Sequence, residues 1–72
     1  MPINSAETAM KVLAETMKND PEYAWSWHCN LAMLAVDAGA CHDKANIRAA
    51  DFMLSAFKID TSRNNPIFKP FY

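Results

Sequence analysis

The segment Asn19-Asp20-Pro21-Glu22 is the feature that most limits how this 72-residue chain can fold. A proline disfavours helical geometry in the residue before it, so a first helix is expected to end at about Asn19. Asp20 is a good N-cap for a second helix, Pro21 suits its first turn, and Glu22 complements the positive end of its dipole. Gly39, the only glycine of the chain, is a natural terminator of that second helix.

These boundaries predict one helical domain over residues 1–72. Asn4 can cap the first helix, and Glu7, three residues later, completes a capping box. The connections at Asp20 and after Gly39 are short, which favours antiparallel neighbours. The predicted fold is therefore all-α, a small antiparallel three-helix bundle with an extended aromatic C-terminal tail. The predicted helices cover residues 5–19, 21–38 and 42–58, and the tail covers residues 61–72.

The apolar residues of the three helices follow two different patterns. The first and third helices each have one apolar stripe, with steps of three and four residues. The second helix is apolar in nearly every direction, and between Tyr23 and Val36 it has no Asp, Glu, Lys or Arg. Such a helix is buried on all sides, so we expect the tail or a second protomer to cover the side that two helices leave open. The stripes are Ala6, Met10, Leu13 and Met17 in the first helix and Ala45, Ala49, Phe52, Met53, Ala56 and Phe57 in the third.

Two tryptophans on the second helix increase the apolar surface that must be covered. Trp25 and Trp27 are two positions apart, which places their side chains about 200° apart around a helix. Either both indoles pack inside, each against a different neighbour, or one of them is an anchor in an interface with a partner. Stacking of a nucleic-acid base on an exposed indole is a weaker alternative, because no cationic residues accompany the pair.

The C-terminal tail is apolar although it cannot be helical throughout. Pro66 and Pro70 prevent a continuous helix, yet Ile67, Phe68 and the terminal aromatic residues are typical of a buried segment rather than of a disordered one. We expect the tail to dock as an extended strap on its own bundle or on a neighbouring protomer. A frayed terminus is the alternative.

The pairs His28-Cys29 and Cys41-His42 resemble metal ligands, but helix geometry argues against a site within one chain. His28 lies about 16 Å from the turn that carries His42, whereas zinc ligands must converge to about 2.0–2.3 Å from one ion. The same separation excludes a cysteine–histidine nucleophile, and a buried thiol is unreactive. We therefore predict a protein that is not an enzyme, with no catalytic residue, no metal and no cofactor, and leave open a metal shared between protomers.

The polar residues of the second and third helices allow two interpretations. His28 shares a stripe with Ala24 and Leu31, where a histidine is more often a hydrogen-bonded core or interface residue than a ligand. Three further polar residues follow one line on the second helix, and Asn46 lies at the edge of the third helix's apolar face. They form either a structural hydrogen-bond network or a polar groove that recognises a partner. The residues of that line are Ser26, Asn30 and Asp37.

The composition limits the classes of partner. The net charge is −1, and only seven Lys and Arg residues are present, so nucleic acid is an unfavoured partner. No apolar run approaches the length of a membrane span, and residues 1–5 lack the features of a signal peptide. The two cysteines do not form a secreted disulfide framework. We therefore expect a cytoplasmic protein without a membrane partner.

The motif Tyr23-Ala24-Trp25-Ser26-Trp27-His28-Cys29-Asn30-Leu31-Ala32-Met33, followed by His42, Asn46 and residues 49–53, resembles a group of small uncharacterised proteins of tailed bacteriophages and prophages. The resemblance covers about residues 21–60. It implies a phage accessory protein in the cytoplasm of the bacterial host, and such proteins commonly bind host components, including defence proteins and their nucleotide signals. It implies no role for any individual residue.

Three functions follow as hypotheses. The first is a non-enzymatic, homo-oligomeric phage protein that binds a host protein and inhibits a bacterial defence or another host process. The second is an oligomeric binder, or sponge, for a small nucleotide signal, and the third is a structural or assembly component of the virion. The predicted interface residues are Trp25, Trp27, His28, Asn30, Asn46, Phe68, Phe71 and Tyr72. The residues predicted to bind phosphate in the second hypothesis are Lys44, Arg48 and Arg63.

Overall fold

The computed structural model describes residues 5–72, and within this range three α-helices are followed by a tail of turns. Every pair of helices is in contact, and the described residues include no strand. The all-α class and the three-helix arrangement are therefore confirmed, while the predicted cap Asn4 lies outside the described residues. The elements are α1 (Ser5–Asn19), α2 (Pro21–Asp37), α3 (His42–Phe57) and a short 3₁₀ helix (Lys69–Phe71).

The junction between α1 and α2 forms as the sequence predicts. Asp20 is extended, with φ −142° and ψ 90°, and its side chain accepts a hydrogen bond of 3.2 Å from the backbone N–H of Tyr23. The missing N–H of Pro21 costs nothing at this position, because the first N–H groups of a helix have no partner inside the helix.

Gly39 ends α2 through its backbone conformation. Its φ is +105°, a region that L side chains rarely adopt, while no atom would obstruct an added Cβ. The N–H of Gly39 donates to the carbonyl of Val36 at 2.9 Å, and the N–H of Ala40 donates to Ala35 at 3.0 Å. This pair of bonds is a Schellman motif, and it satisfies carbonyls that the helix end leaves free.

The core lies where α2 and α3 meet each other and the tail. The buried alanines Ala24, Ala45 and Ala49 have no bulk beyond Cβ, which allows the two helices to approach closely. Helix α1 contributes only one buried residue, Met17. The larger buried residues packed in this core are Met17, Met53, Phe57, Ile59 and Phe68.

Two predicted apolar stripes are only partly buried. In α3, Phe52 belongs to the predicted apolar stripe but is 47% exposed, and its ring contacts the ring of Phe57. In α1, Met10 is 37% exposed and Ala6 is also exposed. The reason is the position of α1, which covers only part of the α2–α3 pair.

The tail folds back onto its own bundle, and it is not extended along its length. Asp60 accepts a 3.0 Å hydrogen bond from the backbone N–H of Ser62, and Asn65 accepts one from Ile67 at 3.0 Å. These side chains hold the backbone in local turns, as Asp and Asn commonly do. Phe68 is buried as a result, and the tail supplies part of the cover that α2 requires.

The molecule is thin, and many apolar side chains therefore remain at its surface. Its principal extents are 44 × 28 × 15 Å. A helix with its side chains is about 10–12 Å wide, so each helix keeps one side in solvent at this thickness. The exposed large apolar residues are Met10, Val12, Met33, Leu34, Ile47, Phe52, Leu54, Ile67, Phe71 and Tyr72.

Candidate functional site

His28 is completely buried and joins three parts of the fold. Its Nδ1 lies 2.7 Å from the hydroxyl oxygen of Thr61 in the tail, and its Nε2 lies 2.9 Å from the amide oxygen of Asn46 on α3. The hydroxyl of Tyr72 donates to the carbonyl of Thr61 at 2.5 Å. These four residues, which we call the His28 network, connect α2, α3 and both ends of the tail.

The direction of each hydrogen bond in the His28 network follows from Asn46. Its amide nitrogen donates to the carbonyl of His42 at 3.2 Å, so its amide oxygen faces His28 and accepts from Nε2–H. Nδ1 then accepts from the hydroxyl of Thr61. Burial lowers the pKa of His28 and outweighs the opposing effect of the Asn46 bond, so the ring is held neutral. In the single chain, His28 is thus a buried residue with both ring nitrogens hydrogen-bonded.

Trp25 is in contact with three other rings. Its ring centroid lies 4.3 Å from that of His28 at an interplanar angle of 11°, and 5.5 Å from that of Phe71 at 16°. The ring of Tyr72 meets it edge-on at 4.8 Å. These contacts cover part of the indole surface on which a base could stack.

Trp27 packs against a different neighbour from Trp25. It meets the ring of Phe57 on α3 edge-on, at a centroid distance of 5.7 Å. The two indoles thus serve different neighbours, as their spacing predicts, and both are half-buried. Within the single chain, both indoles pack against their own neighbours, and an interface role for either of them stays a prediction.

An open groove of about 500 Å³ lies between α3 and the tail, beside the His28 network. Ile47, which is 60% exposed, is its largest aliphatic residue. The guanidinium carbon of Arg63 lies 4.9 Å from the ring centroid of Tyr72, a cation–π contact. We call this surface the α3–tail groove. Its lining residues are Asp43, Asn46, Ile47, Ala50, Ser62, Arg63, Asn64 and Tyr72.

The structure gathers some of the predicted interface residues and separates others. Asn46 and Tyr72 line the α3–tail groove, while Phe71 covers Trp25 and Phe68 is buried. Asn30 is exposed on α2 and does not line the groove.

The polar line on α2 does not form the buried network that the sequence allowed. Ser26, Asn30 and Asp37 are all exposed. The hydroxyl of Ser26 donates at 2.7 Å to the backbone carbonyl of Tyr23, within the same helix. The buried polar network is built on His28 instead, on a different side of α2.

The predicted phosphate-binding residues are not assembled into one site. Arg63 lines the α3–tail groove, whereas Lys44 and Arg48 are exposed on α3 and do not line it. Positions 44 and 48 lie about 60–160° around the helix from Ile47 and Asn46. The lining of this groove therefore includes Arg63 but neither Lys44 nor Arg48.

Both cysteines are free thiols in different surroundings. Cys29 is half-buried, and burial raises the pKa of its thiol, whereas Cys41 is exposed. Among residues 5–72, no three His, Cys, Asp or Glu side chains are grouped so that they could hold a metal ion. No helix in this range has both the length and the apolar character needed to cross a membrane.

Two functional residues escaped the sequence reasoning. Thr61 is fully buried, although the sequence predicts it only as the first residue of the tail. No local pattern marks it, because its partner His28 is 33 positions away. Ile47 lies outside the apolar stripe of α3. An isoleucine away from the stripe is the sequence signal that could have indicated an exposed apolar surface.

Comparison with known proteins gives no relative for this fold and groove. No protein-family model matches the chain, no curated protein is similar to it, and no solved structure matches it. The fold and the site define the class, a small all-α protein with an open groove beside a buried histidine network.

Proposed function

We propose that this chain is a non-enzymatic binding protein that holds a segment of another protein in the α3–tail groove. The observation that supports this proposal is that an internally hydrogen-bonded network lies next to an open groove. The residues of the His28 network hydrogen-bond to one another. The adjacent groove exposes Ile47, Arg63 and Tyr72.

The residue types in the groove suit a protein partner. Tyrosine and arginine are enriched among the residues that dominate protein–protein binding energy, and Tyr72 and Arg63 are already in contact. An exposed apolar centre with a polar rim is the usual anatomy of an interface. Here Ile47 supplies the centre, while Ser62 and Asn64 supply the rim.

The groove is also formed before any partner arrives. The hydroxyl of Tyr72 is fixed by Thr61, and Thr61 is fixed by His28. A surface held in its binding conformation loses less conformational entropy on association than a flexible one. The His28 network is therefore a support for the groove rather than a reaction centre.

We further propose a phage accessory protein acting in the cytoplasm of the bacterial host, with a host protein, such as a component of bacterial defence, as the partner. The support for this context is the resemblance carried by Trp-Ser-Trp-His-Cys-Asn at residues 25–30. Within the structure these residues include the centre of the His28 network and both half-buried indoles, so the motif coincides with the support of the groove.

The test is affinity capture from infected bacteria with three variants of the chain. The wild type and Val12→Glu are expected to retain the same host protein, and Ile47→Glu is expected to lose it. Val12 is a matched control, because it is also 60% exposed on a helix but does not line the groove. Far-UV circular dichroism and melting confirm that each variant folds.

Two outcomes would contradict the proposal. Retention of the host protein by Ile47→Glu would show that the α3–tail groove is not the binding surface. Wild type that enriches no host protein over an unrelated bait would refute protein binding altogether. Recovery of the chain in purified phage particles would instead support the virion hypothesis.

A small anionic ligand in the same groove is the second candidate function. Its volume of about 500 Å³ falls in the range of small-molecule sites, and Arg63 beside an aromatic ring suits an anion on a planar group. A panel of nucleotides should then raise the melting temperature of wild type but not of Arg63→Gln. Unchanged melting of wild type across the panel would exclude this candidate.

A further inference from the structure

A second groove, of about 550 Å³, lies between α1 and α3 and shares no residue with the His28 network. Its apolar part is Met10, Ala14, Ala56 and Phe57. Helix α1 covers only part of the α2–α3 pair, so this groove opens to solvent along one side of α1. We call it the α1–α3 groove. Its charged residues are Glu7, Lys11, Glu15, Lys18 and Lys58.

The charges that α1 places along this groove alternate in sign. In chain order they are Glu7, Lys11, Glu15 and Lys18, which gives negative, positive, negative, positive. Reversing that order gives positive, negative, positive, negative. A second α1 that runs antiparallel therefore presents the opposite charge at every position, whereas a parallel copy in register presents like charges.

We propose that the α1–α3 groove is the interface of a symmetric homodimer in which α1 of one copy lies antiparallel to α1 of the other. A two-fold axis level with the midpoint between positions 12 and 13 of α1, on the groove side of the helix, places Glu7 of each copy opposite Lys18 of the other, and Lys11 beside Glu15. Such an interface uses the same surface on both copies, as a two-fold axis requires.

The apolar residues fit the same arrangement. In this register, Met10 of one copy lies beside Ala14 of the other, one position from being level with it, so that a long flexible side chain meets a small one. Met10 is 37% exposed in the single chain, and Ala14 is half-buried. Association therefore removes apolar surface from water at the centre, while the charges at the rim select the antiparallel orientation.

The size of the interface limits the affinity of the proposed dimer. A helix of 15 residues is about 22 Å long, so the interface is small beside stable dimers, which bury about 1,200–2,000 Å². We expect a reversible dimer that dissociates on dilution and weakens as salt screens the rim charges.

Charge reversal tests the orientation directly. Glu7→Lys and Lys18→Glu, each alone, place like charges opposite each other twice and are expected to be monomeric. A mixture of these two variants restores opposite charges at both contacts and is expected to form a heterodimer. The double variant, with both reversals in one chain, is expected to regain the homodimer. Sedimentation velocity over a series of protein concentrations measures each state.

The apolar centre has its own matched pair of variants. Met10→Glu is expected to abolish dimerisation, and Val12→Glu, on the same helix but outside the groove, is expected to preserve it. Ile47→Glu, in the α3–tail groove, is also expected to remain dimeric, so failure of the dimer is distinguishable from failure of host-protein binding. Circular dichroism confirms helicity in each variant.

Three results would overturn the proposal. A wild type that is monomeric at every concentration would refute the homodimer. A wild-type dimer that Met10→Glu leaves intact would place the interface elsewhere. A dimer that survives the single reversals, or that the double reversal does not restore, would refute the antiparallel orientation.

Discussion

His28 and Thr61 are 33 positions apart in sequence, and a hydrogen bond of 2.7 Å joins Nδ1 of the ring to the threonine hydroxyl. Both side chains are fully buried. The backbone carbonyl of Thr61 also accepts a hydrogen bond from the hydroxyl of Tyr72. The contact between His28 and Thr61 therefore fixes both the beginning and the end of the tail to α2. The groove proposed to bind a partner depends on this contact, since Tyr72 forms part of its wall.

The hydroxyl of Thr61 should matter more than its methyl group. Thr61→Val keeps the shape but leaves Nδ1 of His28 buried without a donor, which costs about 1–3 kcal/mol. Thr61→Ser keeps the donor and removes one methyl group, which costs about 1 kcal/mol. Urea denaturation of the two variants measures the difference, and equal losses of unfolding free energy would contradict the assigned role of the hydroxyl.

Stability should fall as the pH is lowered below about 6.5, the ordinary pKa of histidine. Burial lowers the pKa of His28 in the folded state, so below 6.5 the unfolded chain binds protons more readily than the folded chain. Stability is then fully present above pH 6.5 and is lost as pH falls toward the folded pKa. Melting temperatures between pH 8 and pH 5 measure the effect.

The control for this pH dependence is the other histidine. His42 is exposed at the start of α3, and His42→Gln should keep the decline of stability between pH 6.5 and pH 5. His28→Gln should lower stability at pH 8 and flatten the decline. An unchanged slope in His28→Gln would show that other groups cause the pH dependence.

Replacing Lys58 by glycine should stabilise the protein. Lys58 ends α3 in the left-handed region, with φ 61°, which costs a residue with a side chain about 1–2 kcal/mol. Lys58→Gly relieves that strain, and a gain of about 1 kcal/mol is expected after the greater flexibility of glycine in the unfolded chain is included. Thermal and urea denaturation measure the gain.

The converse substitution tests the same reasoning at the end of α2. Gly39 has φ +105° and open space around its Cα. Gly39→Ala should therefore destabilise through backbone strain alone, by about 1 kcal/mol or more. A stabilising effect of Gly39→Ala, or a loss of stability in Lys58→Gly, would contradict the assigned backbone conformations.

The two cysteines should react with thiol reagents at different rates. The reactive form is the thiolate, and burial both raises the pKa of Cys29 and restricts access to it, whereas Cys41 is exposed at the start of α3. Two phases are expected with a chromogenic disulfide, and Cys41→Ser should remove the fast one. Loss of the slow phase in that variant would contradict the structure.

The sequence predicted the helical skeleton because its signals act over a few residues. Asp20 caps α2 through a bond to a residue three positions away, and Gly39 terminates it through its own φ. The spacing of Trp25 and Trp27 likewise required two different neighbours, which the tail and α3 provide. Each of these features depends on local backbone geometry, and local geometry can be read from a short segment.

Tertiary structure decided which apolar and polar residues are buried. Phe52 follows the stripe of α3 yet is half in solvent, because α1 covers too little of the pair beneath it. Thr61 has no apolar pattern around it and is nevertheless buried, because the turns of the tail bring it to His28. The sequence by itself determined where the helices begin and end, while the groove, its support and the exposed sides of the helices depend on contacts between distant residues.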